Sequence, residues 1–549
     1  MPLTKGEIMH LNKIVAKRLS ILLYSLSIML WSYSIFTAEL KIGSYGLIDS
    51  VNPIFFVATL FLTISFLLIL KYYPKSKILA LQIFTFYVIL YLLPILLEGT
   101  PRFTYSYLTY GYTDYIVRHG HVNTKLLPYQ NWPGIMYLGS VLSIVPKLDG
   151  IQILALYPII IKLLSLIFVY WILSALSTDY ETPWIGTLIY LLGDWIGQGL
   201  YVPASLAGVF NSLSLALILL ILFKRKRYSY QWAIILVILF FSLVISHLLT
   251  SIIMLVSLFV LFILTKIYNL TPKLNTLVMI FSTILLVWLI YPVGDFFSHN
   301  LSGFVARMLD IWSIISETER TTVGMGSEHT KVMYIKMLYT VSFSALAALG
   351  ILHSICNHKL RKSFSTIVPL VIITSYSVIV PLIVGPYSGE IISRAFGYTT
   401  PLLAFFIARN WNTKFFAISI ILFLIIAPPL FVISAYGNEK LDYVSPSEIA
   451  GVNYYYEMSK PKEPIYSLSE RIWRFKYIEE TRWKQLNIKL LNGHELFVQK
   501  GYVAYYDRDI EGYIFLKGKI DYEKIKNTLN NNLNKIYSSG SFDLFYGGE

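Results

Sequence analysis

Phe364–Val384 reads FSTIVPLVIITSYSVIVPLIV, twenty-one residues without one charged side chain. A helix of that length crosses about 30 Å of hydrocarbon. The run is continuous rather than alternating, so it does not read as a barrel strand. Ile21–Phe36 and Ser205–Phe223 read the same way, and about a dozen such runs fill the chain between Leu19 and Ala435. The expected fold is an all-α polytopic membrane bundle, which excludes the soluble enzyme classes.

Composition agrees. The 549 residues are 56% hydrophobic and 14% charged, with mean hydropathy +0.61. A formal charge of +14 is of the kind that attracts nucleic acid, but from Gly437 onward sixteen acids balance sixteen bases. The excess therefore belongs to short basic clusters between apolar runs, which encode topology, and no nucleic-acid partner is expected. The only cysteine, Cys356, rules out a disulfide framework within one chain. Lys5, Lys13, Lys17 and Arg18 precede the first apolar run with no small-residue cleavage site after it, which predicts a retained signal anchor.

With the N-terminus and the clusters Lys71–Lys77, Lys224–Arg227, Lys266 with Lys273, Lys359–Lys362 and Arg409 with Lys414 in the cytoplasm, one layout follows. Helices fall near 19–37, 53–70, 78–97, 151–176, 183–200, 205–223, 231–245, 248–265, 276–292, 333–355, 364–384, 391–408 and 414–435. That is about thirteen crossings, with Cys356 at a cytoplasmic helix end. The expected domains are a cell-membrane part, 1–436, with outer loops 98–150 and 293–332, and an extracytoplasmic part, 437–549. Trp132–Val145 is too short to span and reads as a re-entrant or interfacial helix.

In this layout the polar residues of interest gather at the outer side. Gly99–Asn131 reads GTPRFTYSYLTYGYTDYIVRHGHVNTKLLPYQN. It predicts a helix from Thr104 to His119 with Gly120 as a left-handed C-cap. Tyr107, Tyr110, Asp114 and Val117 share one face of it. Asp114 then reads either as a general base beside aromatic rings, with a raised pKa, or as a solvated residue of an interfacial helix in an aromatic belt. His119 and His121 have poor spacing for a metal pair and read as pocket lining or as residues following the cap. No metal site is indicated by spacing, and the cofactor is left unassigned.

Asp194 sits where Gly193-Asp194-Trp195 and Gln198–Pro203 break an apolar segment, against a wet cavity or protein. His247, between two predicted helices, reads as a cavity group or as a tie between them. Glu390 and Arg394 stand four apart at a helix start. An arginine one turn into a membrane helix is costly unless it meets an anion, and its planar fork matches phosphate; local ion pairing and helix docking are the alternatives. Asn300–Ser302 is a glycosylation sequon, and the loop Asp295–Lys331, with Glu317, Glu319, Arg320, Glu328 and His329, has the length of a lid. There is no Walker sequence, nucleophile elbow, HExxH or internal repeat. Intramembrane charge is expected at the outer rim and nearly absent at mid-depth, which favours an enzyme at the outer face over an alternating-access carrier.

Four stretches in order carry a resemblance. They are Pro101-Arg102…Asp114…His119-Gly120-His121…Tyr129…Trp132-Pro133-Gly134, then Gly193-Asp194-Trp195…Tyr201-Val202-Pro203, then Ser246-His247-Leu248-Leu249-Thr250-Ser251, then Ser393-Arg394-Ala395-Phe396…Pro401. The closing Asn534–Gly540 adds a fifth. Together they resemble the polytopic, largely archaeal GT-C-type glycosyltransferase-like membrane proteins. The resemblance implies an enzyme that uses a polyprenyl-phosphate-linked sugar at the outer face of the membrane. It implies inverting transfer to a glycan or protein acceptor by an acidic base in the first outer loop, here Asp114. It also implies basic residues on the lipid phosphate, of which Arg394 is the best placed; Arg102 and His247 are further candidates for that phosphate, and His119, His121, Asp194 and Glu390 for the pocket. Where that superfamily carries an acid soon after Pro-Arg, this chain reads Phe103–Ser106. The competing expectation is a non-catalytic carrier of lipid or glycan, or a scaffold of a surface assembly.

From Gly437 the composition changes. Ser445-Pro446 reads as an N-cap with proline at the first helical position. Glu463–Ser467, Glu495–Val498, Gly501–Tyr506, Tyr513–Leu516 and Ser541–Tyr546 read as strands, and Asp521–Leu533 as a helix, giving a small α/β domain.

Overall fold

The computed structural model describes residues 5–126, 128–197, 199–224, 230–271, 274–295, 298, 326–384, 391–460, 463–486, 500–517 and 522–547. The sequon, Glu317, Glu319, Arg320, Glu390 and the strand expected at Glu495–Val498 lie outside the described residues.

Each of the thirteen stretches expected to be helical carries a helix. Among the described residues, seven helices are long and apolar enough to cross a membrane, those beginning at Asn12, Pro53, Gly150, Pro203, Leu248, Ser327 and Lys414. Others are shorter, such as the 16-residue Asn275–Ile290. Local chemistry sets the ends. Asn52 accepts from the Ile54 N–H (3.1 Å) in front of Pro53. Asp149 and Gln152 exchange hydrogen bonds in a capping box before Gly150–Leu176. Between apolar surfaces in lipid, small polar groups tie helices together. Ser20 and Ser65 meet at 2.8 Å, and Ser27 donates to the Ala58 carbonyl at 2.7 Å.

Two expected helices are interrupted. The 78–97 stretch is Ile78–Tyr91 and Leu93–Glu98, parted where Pro94 cannot continue the hydrogen-bond ladder. The 183–200 stretch ends at Gly193, because the Asp194 carboxylate draws the following backbone into a turn by accepting from the Gly197 N–H (3.1 Å). The Gly134–Ile144 helix has 11 residues, about 16 Å, and does not span.

Pro464–Ser467 (β1), Arg482–Gln485 (β2), Gly501–Tyr506 (β3), Asn534–Ser539 (β4) and Phe542–Gly547 (β5) form one sheet in the order β2-β1-β3-β5-β4. β1 pairs in parallel with β2 and β3, and β5 is antiparallel to β3 and β4. β3 is buried on both faces, with Tyr502, Ala504 and Tyr506 on one and Val503 and Tyr505 on the other. The strand expected at Tyr513–Leu516 is instead part of the helix Asp507–Lys517. Its buried positions Asp509, Ile510, Gly512 and Phe515 do not alternate as a strand's would. A four-residue apolar run does not by itself distinguish the two.

The first core is the helical bundle. A second is shared: Tyr107 and Tyr110 of the Thr104–His119 helix and Tyr201 of the membrane part pack with Trp473, Phe475, Ile465 and Phe542 of the C-terminal part. A side chain at Gly111 would run into the Arg474 carbonyl, so this close approach requires glycine. The helix therefore lies between membrane bundle and sheet, and four of its five tyrosines, Tyr107, Tyr110, Tyr112 and Tyr115, are buried in protein instead of forming an aromatic belt, while Tyr105 is exposed.

Candidate active site

Gly150–Leu176 carries one charge, Lys162, twelve residues in and so about 18 Å from its start. Asp194 lies beyond the end of the 13-residue Glu181–Gly193 helix, which approaches from the opposite face. The two meet with Lys162 Nζ 2.6 Å from Asp194 Oδ2, their side chains 2% and 6% exposed. Lys162 stands over the rings of Tyr91 (4.9 Å) and Tyr190 (4.6 Å), and the Tyr91 hydroxyl donates to the Asp194 carbonyl at 3.1 Å. Each charge is tolerable at this depth because the other is present. Helix interiors were expected to be nearly free of charge, and Lys162, inside the apolar run Gly150–Leu176, departs from that. Sequence reasoning passed over Lys162, although a lone lysine inside an apolar helix is the signal that could have found it.

The pair lines a cavity of about 260 Å³, and Arg394, in the first turn of Ile391–Ala408, lines it too. Tyr398, one turn after Arg394, adds its ring. His247 is one residue removed. It caps Leu248–Ile267 with Nδ1 accepting from the Thr250 N–H (3.4 Å), and Thr250 Oγ1 lies 2.6 Å from the Tyr398 hydroxyl. The structure thus brings together Arg394, Asp194 and, through Thr250 and Tyr398, His247.

Asp114 lies elsewhere. Its Oδ2 accepts from Arg118 Nε (2.8 Å) and from the Tyr477 N–H (3.1 Å). Arg118 in turn grips Glu479 with two bonds, 2.6 and 2.9 Å. Partial burial raises the Glu479 carboxyl, but its bonds to Arg118 and that residue's charge outweigh burial and hold it below the usual range. His119 stacks on Tyr115 at 4.2 Å with Nε2 3.7 Å from Glu479, and His121 Nε2 lies 3.4 Å from the Tyr115 hydroxyl. Asp114, Arg118 and His119 fasten the Thr104–His119 helix to the C-terminal part, and neither they nor His121 are among the described residues that line the large cavity. No described residue of the helix lines that cavity, but its other side connects to it by a relay. Thr113 meets the Tyr201 hydroxyl at 2.7 Å, Tyr201 packs on Tyr157, and Tyr157 meets the cavity-lining Ser205 at 2.9 Å.

Arg102 lines a second, smaller space of about 50 Å³ with Tyr91 and Tyr436, next to the first and sharing Leu200 with it. Its guanidinium pairs with Glu439 and, at 3.5 Å, with Asp442, and stands 4.9 Å over the Tyr436 ring. Glu98 joins this cluster, its carboxyl pushed up by burial against the pull of Arg102. Glu328 is held by Lys440 (2.6 Å) and Ser44 (2.7 Å), and His329 packs on Phe515. Among the described residues, no three of His, Cys, Asp and Glu gather as a metal site.

An anion can be met by Arg394 and Lys162, and a carboxylate, Asp194, faces the same space. That set can hold a phosphate and accept a proton beside it. No protein-family model matches the chain, and no curated protein sequence matches it significantly. Its fold is similar to the Archaeoglobus fulgidus oligosaccharyltransferase in complex with Zn and sulfate (15% identity, TM-score 0.45, covering 82% of this chain and 70% of that one). The same protein tethered to an acceptor peptide containing the NVT sequon gives 14% identity, TM-score 0.44 and coverage of 82% and 71%. ArnT from Cupriavidus metallidurans in the apo state gives 11% identity, TM-score 0.38 and coverage of 85% and 97%. At these scores the likeness is distant, and no residue role passes across it.

Proposed function

We propose that the chain is a membrane glycosyltransferase that takes its sugar from a polyprenyl-phosphate-linked donor, at the extracytoplasmic face that carries the C-terminal part. The observation that supports it is the cavity in which Arg394, Lys162 and Asp194 line one space inside an apolar bundle. The acceptor hydroxyl gives its proton to a carboxylate as its oxygen bonds to the anomeric carbon. The bond from that carbon to the phosphate oxygen breaks with inversion, and polyprenyl phosphate leaves with one more negative charge. Arg394 is suited to that developing charge, since its fork matches phosphate and low dielectric strengthens the contact. We assign the base to Asp194, which shares the cavity, and give Asp114, the base implied by resemblance, the role of holding the C-terminal part.

The test is transfer from a panel of polyprenyl-phosphate sugars by purified protein and by Arg394→Met. Loss of one charge-assisted contact to phosphate should lower kcat/KM roughly ten- to a hundredfold. An unchanged value removes Arg394 from the donor site. One observation favours a second reading: the Lys162–Asp194 pair buried inside the apolar bundle also suits a carrier of lipid-linked sugar. Movement of labelled donor across vesicles without transfer would select it.

A further inference from the structure

Asn211 lies eight residues into Pro203–Phe223, about 12 Å along the helix. It is 8% exposed, and its Oδ1 is buried without a hydrogen-bond partner among the described residues. An amide acceptor buried without a donor is costly. The same side chain lines the large cavity, next to Ser212 on its own helix and with Ser165 from Gly150–Leu176. Of the four glycines that line that space, two stand in helices, Gly208 one turn before Asn211 and Gly397 one turn after Arg394. A Cβ added at either would meet no atom within 4 Å, so both positions leave volume to the cavity where almost any other residue would take it.

We infer that the wall formed by Gly208, Asn211 and Ser212 is the saccharide subsite, and that it takes one uncharged monosaccharide. This rests on the glycosyltransferase reading above and names the part of the donor that the wall reads. A polyprenyl chain offers hydrocarbon and would leave the Asn211 amide unpaired. A sugar hydroxyl donates to Oδ1 and can accept from the amide nitrogen of the same side chain. The residues flanking Asn211 on this wall are uncharged, so they match hydroxyls and not a carboxylate or a second phosphate. At about 260 Å³ the space falls just under the roughly 300–1,000 Å³ of pockets for drug-sized ligands. It is sized for a single ring beside its phosphate. Gly208 and Gly397 set the room, and Asn211 sets the choice between a ring hydroxyl and its absence.

The test is binding to full-length protein in nanodiscs of four probes: bare polyprenyl phosphate, a panel of polyprenyl-phosphate hexoses, their single-deoxy analogues, and the same lipid phosphate carrying a disaccharide. In the parent, one hexose lipid should bind at least about tenfold tighter than bare lipid, and one deoxy position should erase that gain. Asn211→Ala should bind the hexose and its deoxy analogue alike. Gly208→Phe should keep the affinity for bare polyprenyl phosphate, which also reports that it is folded, and lose the preference for the sugar. If both variants prefer the hexose lipid as strongly as the parent, the subsite is wrong while the donor reading stands. Equal binding of disaccharide and hexose by the parent overturns the single-ring assignment. If the parent binds no polyprenyl phosphate in any form, the glycosyltransferase reading fails and this inference with it.

Discussion

Lys162 and Asp194 are a matched pair of charges in a setting that tolerates neither alone. Removing one partner of a buried ion pair leaves the other uncompensated, which costs roughly 3–5 kcal/mol. Lys162→Met should therefore lower the thermal unfolding midpoint in detergent sharply. Lys162→Met combined with Asp194→Asn should recover part of the loss, because no charge is then left unpaired. Equal midpoints for parent and single variant would remove the pair from the stability account. At this scale the sequence was partly legible. Asp194 and Arg394 stood out because polar residues interrupt apolar runs, and the structure puts them on one cavity. Which residues they would meet was not legible, since Lys162 lies 32 positions from Asp194 and helix rotation decides whether they face each other. Asp114 shows the converse. Its helix and its face were readable, but the partner that fills the face, around Tyr477, is 363 residues away.

The Thr104–His119 helix joins bundle to sheet, and the Arg118–Glu479 bond pair is its outermost fastening. The folded pKa of Glu479 lies below its unfolded value. Its contribution is therefore complete above an unfolded value of about 4.3 and is lost as pH falls through the lower folded value. Limited proteolysis should thus show the C-terminal part loosening as the medium is acidified below about pH 4. Glu479→Gln should loosen it already at neutral pH, by roughly 1 kcal/mol for a partly exposed pair, and flatten the acid step. A pH profile identical in parent and variant would contradict this. The helix itself was predictable from end to end, because Gly120 in the left-handed region closes it as its sequence implies. β2 and β4 were not read as strands: their burial depends on neighbours distant in sequence, and their residues are mostly exposed.

For the whole molecule, the apolar runs revealed a helical membrane protein without any motif, since hydrocarbon leaves helices and closed barrels as its only spanning solutions. The number of crossings was less legible, because Pro94 and Asp194 break runs that hydropathy alone joins. Orientation is a prediction with a built-in probe. Cys356 is the only cysteine and is exposed, and the basic clusters place it in the cytoplasm. A membrane-impermeant maleimide should label it only after permeabilisation, whereas a cysteine introduced at Ser538 should label in intact cells. Labelling of Cys356 from outside would invert the topology.

The central claim is that sugar transfer takes place at the Lys162–Asp194–Arg394 cavity. Rates of transfer from a polyprenyl-phosphate hexose by the parent, Asp194→Asn and Asp114→Asn test it most directly. The account predicts an active parent, a loss of at least about a hundredfold in Asp194→Asn, equivalent to about 2.7 kcal/mol of transition-state stabilisation, and a much smaller loss in Asp114→Asn. A folded Asp194→Asn at full rate, with Asp114→Asn silent, would return the base to the Thr104–His119 helix and contradict the cavity as the place of reaction.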